Sequence, residues 1–269
     1  MTKSLIIGCG NLGQNIISGF YKKKKQVLIC DENKNLLKKI KKNYKNFFEV
    51  LENLENISFK KIEYIFLCIK PQQALAVLRI ISQKSKKKIK IISFVAGLKD
   101  KKIRSFFSHN IEVTRIMPNL LLKVQKSTTG IFSNDLSIFE KEKIEKKLSF
   151  FGRLIWLKKE SQMDFFTAFF GGGPAYLCFF FEVLSKILVK KGFNKKLSNE
   201  LILILTHGTL EILGEGLNFD DIIKKVASKN GTTERALDFF KKNNSFSILF
   251  SQAINKAEKR SQEIAKDLL

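Results

Sequence analysis

The chain has 269 residues, 44% of them hydrophobic and 28% charged, which suits two modest domains with a packed core and argues against global disorder. Lys and Arg total 49 against 25 Asp and Glu, a formal charge of +24 that raises the question of nucleic-acid or anionic-membrane contact. The two histidines, with Cys9, Cys30, Cys68 and Cys178 far apart and no CxxC spacing, exclude a zinc pattern, and no metal is expected.

The lysine runs 22–25, 86–88 and 99–102 fall between apolar segments and lack the interleaved aromatics of a single-strand binder. They read as solvated faces in a Lys-, Ile-, Asn- and Phe-rich chain rather than as a specific nucleic-acid footprint. The apolar run that starts at Leu5 is too short for a signal peptide. A cytoplasmic protein with reduced, buried thiols is expected.

In chain order, residues 3–8 form a short apolar run ending in glycine, the pattern of a buried parallel strand. Residues 11–22 read as a helix, 26–30 as a second strand stopped by Asp31, and 34–45 as a basic helix. Strands follow at 64–69, halted by Pro71, at 89–95 and at 111–117, with a helix over 72–84. Residues 130–133 and 153–157 supply closing strands around a helix at 137–150. Beyond residue 158 the period becomes helical, with helices at 160–191, 198–213, 219–228, 232–242 and 245–269. The alternation predicts a doubly wound parallel α/β sheet over 1–158 and an all-α domain over 159–269. Residues 165–181 carry no charge but are shorter than the roughly 20 residues of a spanning helix and are broken by Gly171-Gly172-Gly173-Pro174. The expectation is a helix buried in an oligomer core, with no membrane.

Gly8-Cys9-Gly10-Asn11-Leu12-Gly13 spells G-x-G-x-x-G between the first strand and the first helix. Gly8 permits the tight turn, Gly10 the approach of a pyrophosphate, and Gly13 close packing of helix on strand, while the helix N-terminus favours phosphate. This is the Rossmann dinucleotide signature. Asp31 stands where a carboxylate bonds the adenosine ribose hydroxyls, which leans toward NADH over NADPH. Lys34 just beyond is suited to pair with a 2′-phosphate instead, and Asp31 is equally placed to cap the next helix. Further on, Ser228-Lys229-Asn230-Gly231-Thr232-Thr233-Glu234 links two helices and reads either as a small anion nest or as an ordinary helix cap.

Taken together these pieces resemble the pyrroline-5-carboxylate reductases, along nearly the whole chain. After the glycine fingerprint come Cys68-Ile69-Lys70-Pro71 (A-V-K-P in the family), Val95-Ala96-Gly97 and Arg115-Ile116-Met117-Pro118-Asn119. Then follow Asp164, Thr167-Ala168, Gly173-Pro174-Ala175-Tyr176 and Gly231-Thr232-Thr233. The resemblance implies reduction of 1-pyrroline-5-carboxylate to L-proline by NADH or NADPH, in dimers or larger rings whose helical domains intertwine. It further implies that Ser228, Gly231 and Thr232 hold the substrate carboxylate and that the Thr233 hydroxyl bonds the imine nitrogen. Gly8, Gly10, Asn11, Leu12, Gly13 and Asp31 would take the nucleotide, with Cys68, Lys70, Pro71, Ala96 and Asn119 beside the nicotinamide.

The chain departs from the family at Leu120-Leu121-Leu122, Gln125-Lys126-Ser127, Gly172 and Lys229-Asn230. Rival readings are a reductase of another cyclic imine or small acid, a catalytically weakened nucleotide-binding scaffold, and a basic protein that meets nucleic acid. His109 and His207 have no partners in sequence and are expected to be structural or on the surface.

Overall fold

Branched apolar residues in short runs favour strands that are covered on both faces, and the computed structural model, which describes residues 3–85 and 88–268, has them there. The strands are β1 (Lys3–Ile7), β2 (Leu28–Cys30), β3 (Glu49–Leu51), β4 (Ile62–Leu67), β5 (Lys90–Ser93), β6 (Glu112–Met117), β7 (Ser127–Phe132) and β8 (Gly152–Trp156). They form one sheet in the order β3-β2-β1-β4-β5-β6-β7-β8. Lys86 and Lys87 of the predicted lysine run, and residue 269 of the predicted last helix, lie outside the described residues.

The first six strands are mutually parallel, whereas β7 runs antiparallel to β6, and β8 follows β7. The expected doubly wound sheet is present, with two reversed strands at one edge. The short link between β6 and β7 holds only a 3-10 turn, Leu120–Val124, and a parallel return needs a longer crossover. The sequence also gave no sign of β3, a three-residue strand at the opposite edge and partly exposed, too short to show a period.

Helices α1 (Asn11–Lys22), α2 (Lys34–Asn43), α3 (Pro71–Lys84), the short α4 (Asp100–Arg104) and α5 (Ile138–Lys147) accompany the strands. Strand alternation splits the core into two layers. Ile65 and Leu67 of β4 pack with Ala74, Leu78 and Ile81 of α3, while Tyr64 and Phe66 pack with Ile16, Ile17 and Phe20 of α1. Of the four thiols, Cys9 and Cys30 are buried as expected, but Cys68 is half-buried and Cys178 is exposed in the single chain. None forms a disulfide.

The predicted helix over 160–191 is broken. It comprises α6 (Gln162–Phe166), a π-helical turn (Thr167–Gly171) and α7 (Gly173–Lys190). The three glycines and Pro174, which has no N–H to donate, weaken the regular helix here. Then come α8 (Lys195–Gly214), α9 (Phe219–Val226), α10 (Thr232–Lys241) and α11 (Ser245–Lys266).

The chain divides into two compact units, residues 1–172 with 257–269, and residues 173–256. The last turns of α11 thus belong with the sheet. The Ser261 hydroxyl donates to Asp164 at 2.7 Å, and Leu268 joins the α3-side core. Gly97 lies against α11 with φ +75°, and a Cβ there would stand 2.9 Å from the Ala265 backbone. Gly97→Ala should therefore destabilise the protein by about 2–4 kcal/mol through left-handed strain and overpacking, read as a lowered melting temperature. An unchanged melt would mean that α11 does not seat there.

The second unit is differently built. Its helices leave Leu177, Phe179, Leu203, Ile204, Leu205, Phe219 and Phe239 between 58% and 76% exposed. The stretch Gln162–Lys190 has the length and hydropathy of a membrane-crossing helix, with 6% of its apolar window buried. An exposed apolar area on this scale requires cover.

Candidate active site

In a parallel sheet every strand ends on the same edge, so motifs scattered over the sequence converge there. β1 leads into Gly8 and Cys9, β2 into Asp31, β4 into Cys68 through Pro71, β5 into Ala96, and β6 into Asn119. These strands are neighbours in the order β2-β1-β4-β5-β6. The chain leaves β1 toward β2 on one side and resumes in β4 on the other. That switch point opens a crevice between β1 and β4, the general ligand position of such sheets.

The glycines have distinct duties. Gly8 has φ +96°, and a Cβ on it would lie 2.5 Å from the Cys68 carbonyl oxygen. A Cβ on Gly13 would lie 2.0 Å from the Gly8 carbonyl oxygen. A Cβ on Gly10, by contrast, would meet nothing within 4 Å. Gly10 is also the N-cap of α1, so no side chain caps the first-turn N–H groups at Asn11, Leu12 and Gly13. The arrangement fits a dinucleotide pyrophosphate.

Asp31 is half-buried and accepts from Cys9 N–H at 2.5 Å and Asn33 N–H at 2.8 Å, which fixes the carboxylate beside the turn. The cap of α2 is Asn33, whose side chain accepts from Asn35 and Leu36 N–H, so the helix-cap alternative for Asp31 falls away. Lys34 is engaged with Glu52 at 3.0 Å.

Lys70 is the exposed N-cap of α3, with Pro71 at its first position, where the missing N–H costs nothing. Burial pushes the Cys9 and Cys68 thiols up, aided at Cys9 by Asp31 and at Cys68 by Cys9; Cys30 is pushed up to about 12 by burial and then by Asp31. All three remain protonated at neutral pH and offer no thiolate base.

Asn119 is held from three directions. Its N–H donates to Ser127 Oγ at 3.0 Å, its side-chain amide donates to the Phe170 carbonyl at 3.0 Å, and its Oδ1 accepts from Leu121 N–H at 3.1 Å. Two of these residues, Ser127 and Leu121, stand where the chain departs from the family pattern, so the altered loop supports Asn119 rather than displacing it. The sequence marks Ser127 only as a departure from the family pattern and gives no role to Phe170, because a backbone carbonyl in a π-helical turn leaves no residue-type signal. Arg115, from the same motif as Asn119, is buried and pairs with Glu160 at 2.8 Å, a structural tie.

The remaining candidates lie in the second unit. Asn230 has φ 61°, its N–H donates to Glu234 Oε2 at 2.6 Å, and the Gly231 N–H donates to the Ser228 carbonyl at 2.9 Å. Gly231 is the N-cap of α10 and makes no side-chain cap bond; a Cβ on it would stand 2.5 Å from Ser228 Oγ. Thr232 and Thr233 thus occupy the first helical turn, exposed and half-buried respectively, and neither hydroxyl serves as the cap. Ser228, Gly231, Thr232 and Thr233 form one turn with backbone donors and hydroxyls, a nest suited to a small anion. His207 is exposed, 3.4 Å from Glu211.

Comparison with known proteins matches residues 160–264 to a family model described as pyrroline-5-carboxylate reductase dimerisation, and residues 3–97 to one described as NADP oxidoreductase, coenzyme F420-dependent. A pyrroline-5-carboxylate reductase of Pseudomonas aeruginosa is 30% identical over 208 residues, 77% of this chain and 76% of that one. One from Bacillus subtilis is 28% identical over 99% of this chain and 90% of its own. The solved reductase of Coxiella burnetii shares the fold with TM-score 0.87 at 24% identity over 98% of both chains. The Plasmodium falciparum enzyme, solved with NADP bound, gives 0.80 at 24% identity over 98% of both. The dimerisation match accounts for the exposed apolar helices as a homo-oligomer surface. The chain belongs to the pyrroline-5-carboxylate reductase family of nicotinamide-dependent oxidoreductases.

Proposed function

We propose that the protein reduces 1-pyrroline-5-carboxylate to L-proline with NADH or NADPH, the last step of proline biosynthesis. One observation carries the reading: a chain of this family pairs an open pyrophosphate turn at Gly8–Gly13 with a helix start, uncapped by a side chain, that bears Thr232 and Thr233.

When bound, the reduced nicotinamide supplies a hydride. The chain's own residues bind and orient. Around Ser228, Gly231 and Thr232, contributed by the partner subunit, the first-turn N–H groups that α10 leaves without a side-chain cap take the substrate carboxylate, and the Thr233 hydroxyl bonds the imine nitrogen. Cys68, Lys70, Pro71, Ala96 and Asn119 set the nicotinamide side. A protonated imine is already an electron sink, so geometry supplies most of the rate and no His or carboxylate base is needed. Residues 1–158 act as the nucleotide domain and 159–269 as the dimerisation and substrate domain, in a cytoplasmic homodimer or larger homo-oligomer. Oxidation of NADH or NADPH by purified protein on addition of the imine tests the reading; nucleotide binding without turnover would overturn it.

NADH is the preferred cofactor. Asp31 repels a 2′-phosphate, and Lys34 is drawn to Glu52. Asp31→Asn should shift the ratio of kcat/KM for NADPH over NADH upward by about tenfold, worth about 1.4 kcal/mol. A ratio that stays put would remove Asp31 from the ribose site.

A further inference from the structure

The opposite edge of the sheet, where β1, β2 and β4 begin, holds a cleft of about 1170 Å³ that the reductase reading does not use. Lysines supply most of its charge. Six of them line it, against the carboxylates of Glu49 and Glu63. They come from two places, the end of α1 and the last turns of α5.

Three of the six make contacts within the fold, Lys147 among them. Lys23 bonds the Lys146 carbonyl and the Ser149 hydroxyl, and Lys143 pairs with Glu140. Lys24, Lys25, Lys146 and Lys147 have no carboxylate within ion-pair distance among the described residues. Lys147 lies over the Tyr64 ring, 4.2 Å from its centroid, and 3.4 Å from Ser4 Oγ. Its ammonium is held below the usual lysine range by burial and by the nearby charges of Lys25 and Lys90, only partly offset by Glu63. These cations face one another across a concavity that contains little to balance them.

Lys24 stands on the rim of the cleft at a helix end. α1 ends in a Schellman arrangement, with Lys25 N–H on the Phe20 carbonyl and Lys24 N–H on the Tyr21 carbonyl. The residue at that left-handed position is usually glycine, yet here Lys24 adopts φ 53°. Lys45 takes the same position at the end of α2, outside the cleft, so the backbone geometry serves here only to make glycine at position 24 a clean replacement that removes the ammonium.

We propose that this cleft binds a multiply phosphorylated small molecule, with Lys24, Lys25, Lys146 and Lys147 as its phosphate contacts. Lysine acts as a point charge toward phosphate, and several in one concavity favour a ligand with more than one such group. The edge-on position keeps this site apart from the nucleotide crevice, which lies at the other ends of the same strands.

Lysines at helix ends also complement the helix dipole, and the test separates the two roles. Inorganic tripolyphosphate is titrated by calorimetry into the full protein, with and without saturating NADH, alongside Lys24→Gly and the double variant Lys146→Ser/Lys147→Met. The proposal expects binding that NADH leaves unchanged, weakened about tenfold in each variant. Lys24→Gly should at the same time raise the melting temperature, because glycine relieves the left-handed strain. A lysine that served only the helix end would give no such opposed pair of changes. Absence of binding, variants that bind as the wild type does, or competition by NADH would each overturn the proposal. Tighter binding of duplex DNA that displaces the tripolyphosphate would replace it with a nucleic-acid contact.

Discussion

Gly13→Ala should abolish nucleotide binding and destabilise the protein, while Gly10→Ala should leave the melting temperature unchanged and still weaken nucleotide binding. The two glycines are three residues apart in one motif, yet their surroundings differ. A Cβ on Gly13 would stand 2.0 Å from the Gly8 carbonyl oxygen, a backbone atom that itself belongs to a turn with φ +96°. No side-chain rotation relieves that contact, so α1 must move off β1, at a cost of about 3–5 kcal/mol. Gly10 has open space where its Cβ would point, so the protein alone tolerates alanine there. If that space is where the pyrophosphate approaches, the methyl group weakens NADH binding by about tenfold, or about 1.4 kcal/mol. Fluorescence titration with NADH beside thermal melts reads both. Wild-type affinity in Gly10→Ala would place the phosphates elsewhere.

The second large effect concerns the turn before α10. Thr233→Val preserves shape and removes one hydroxyl, which does not cap the helix. If that hydroxyl bonds the charged imine, its loss costs about 1.5–3 kcal/mol of transition-state stabilisation, a ten- to hundredfold fall in kcat/KM. The melting temperature and NADH affinity should not change. Kinetics equal to wild type would show that the hydroxyl does not meet the substrate, and the proposed site would need another donor.

The nucleotide half was readable because its requirements are local. A buried strand, a glycine turn and an amphipathic helix each leave a short-range pattern, and G-x-G-x-x-G records three steric demands that the structure bears out at Gly8 and Gly13. Asp31 was only partly readable. Its distance from the fingerprint suggested a ribose contact, but whether it or Asn33 capped α2 depended on which side chain turned back onto the helix. Arg115 was legible as part of a motif and not as a role; burial beside Glu160 makes it structural.

What the sequence determined by itself is the alternation of the longer strands and helices, the glycine turn and the identity of the motifs, because these follow from periodicity and from the backbone freedom of individual residues. Tertiary structure alone decided that the five strand ends share one edge, that the end of α11 returns to the sheet at Gly97, and that lysines from α1 and α5 crowd a single cleft. Those outcomes depend on which distant surfaces bury one another, and no local pattern encodes a contact between residues more than a hundred positions apart.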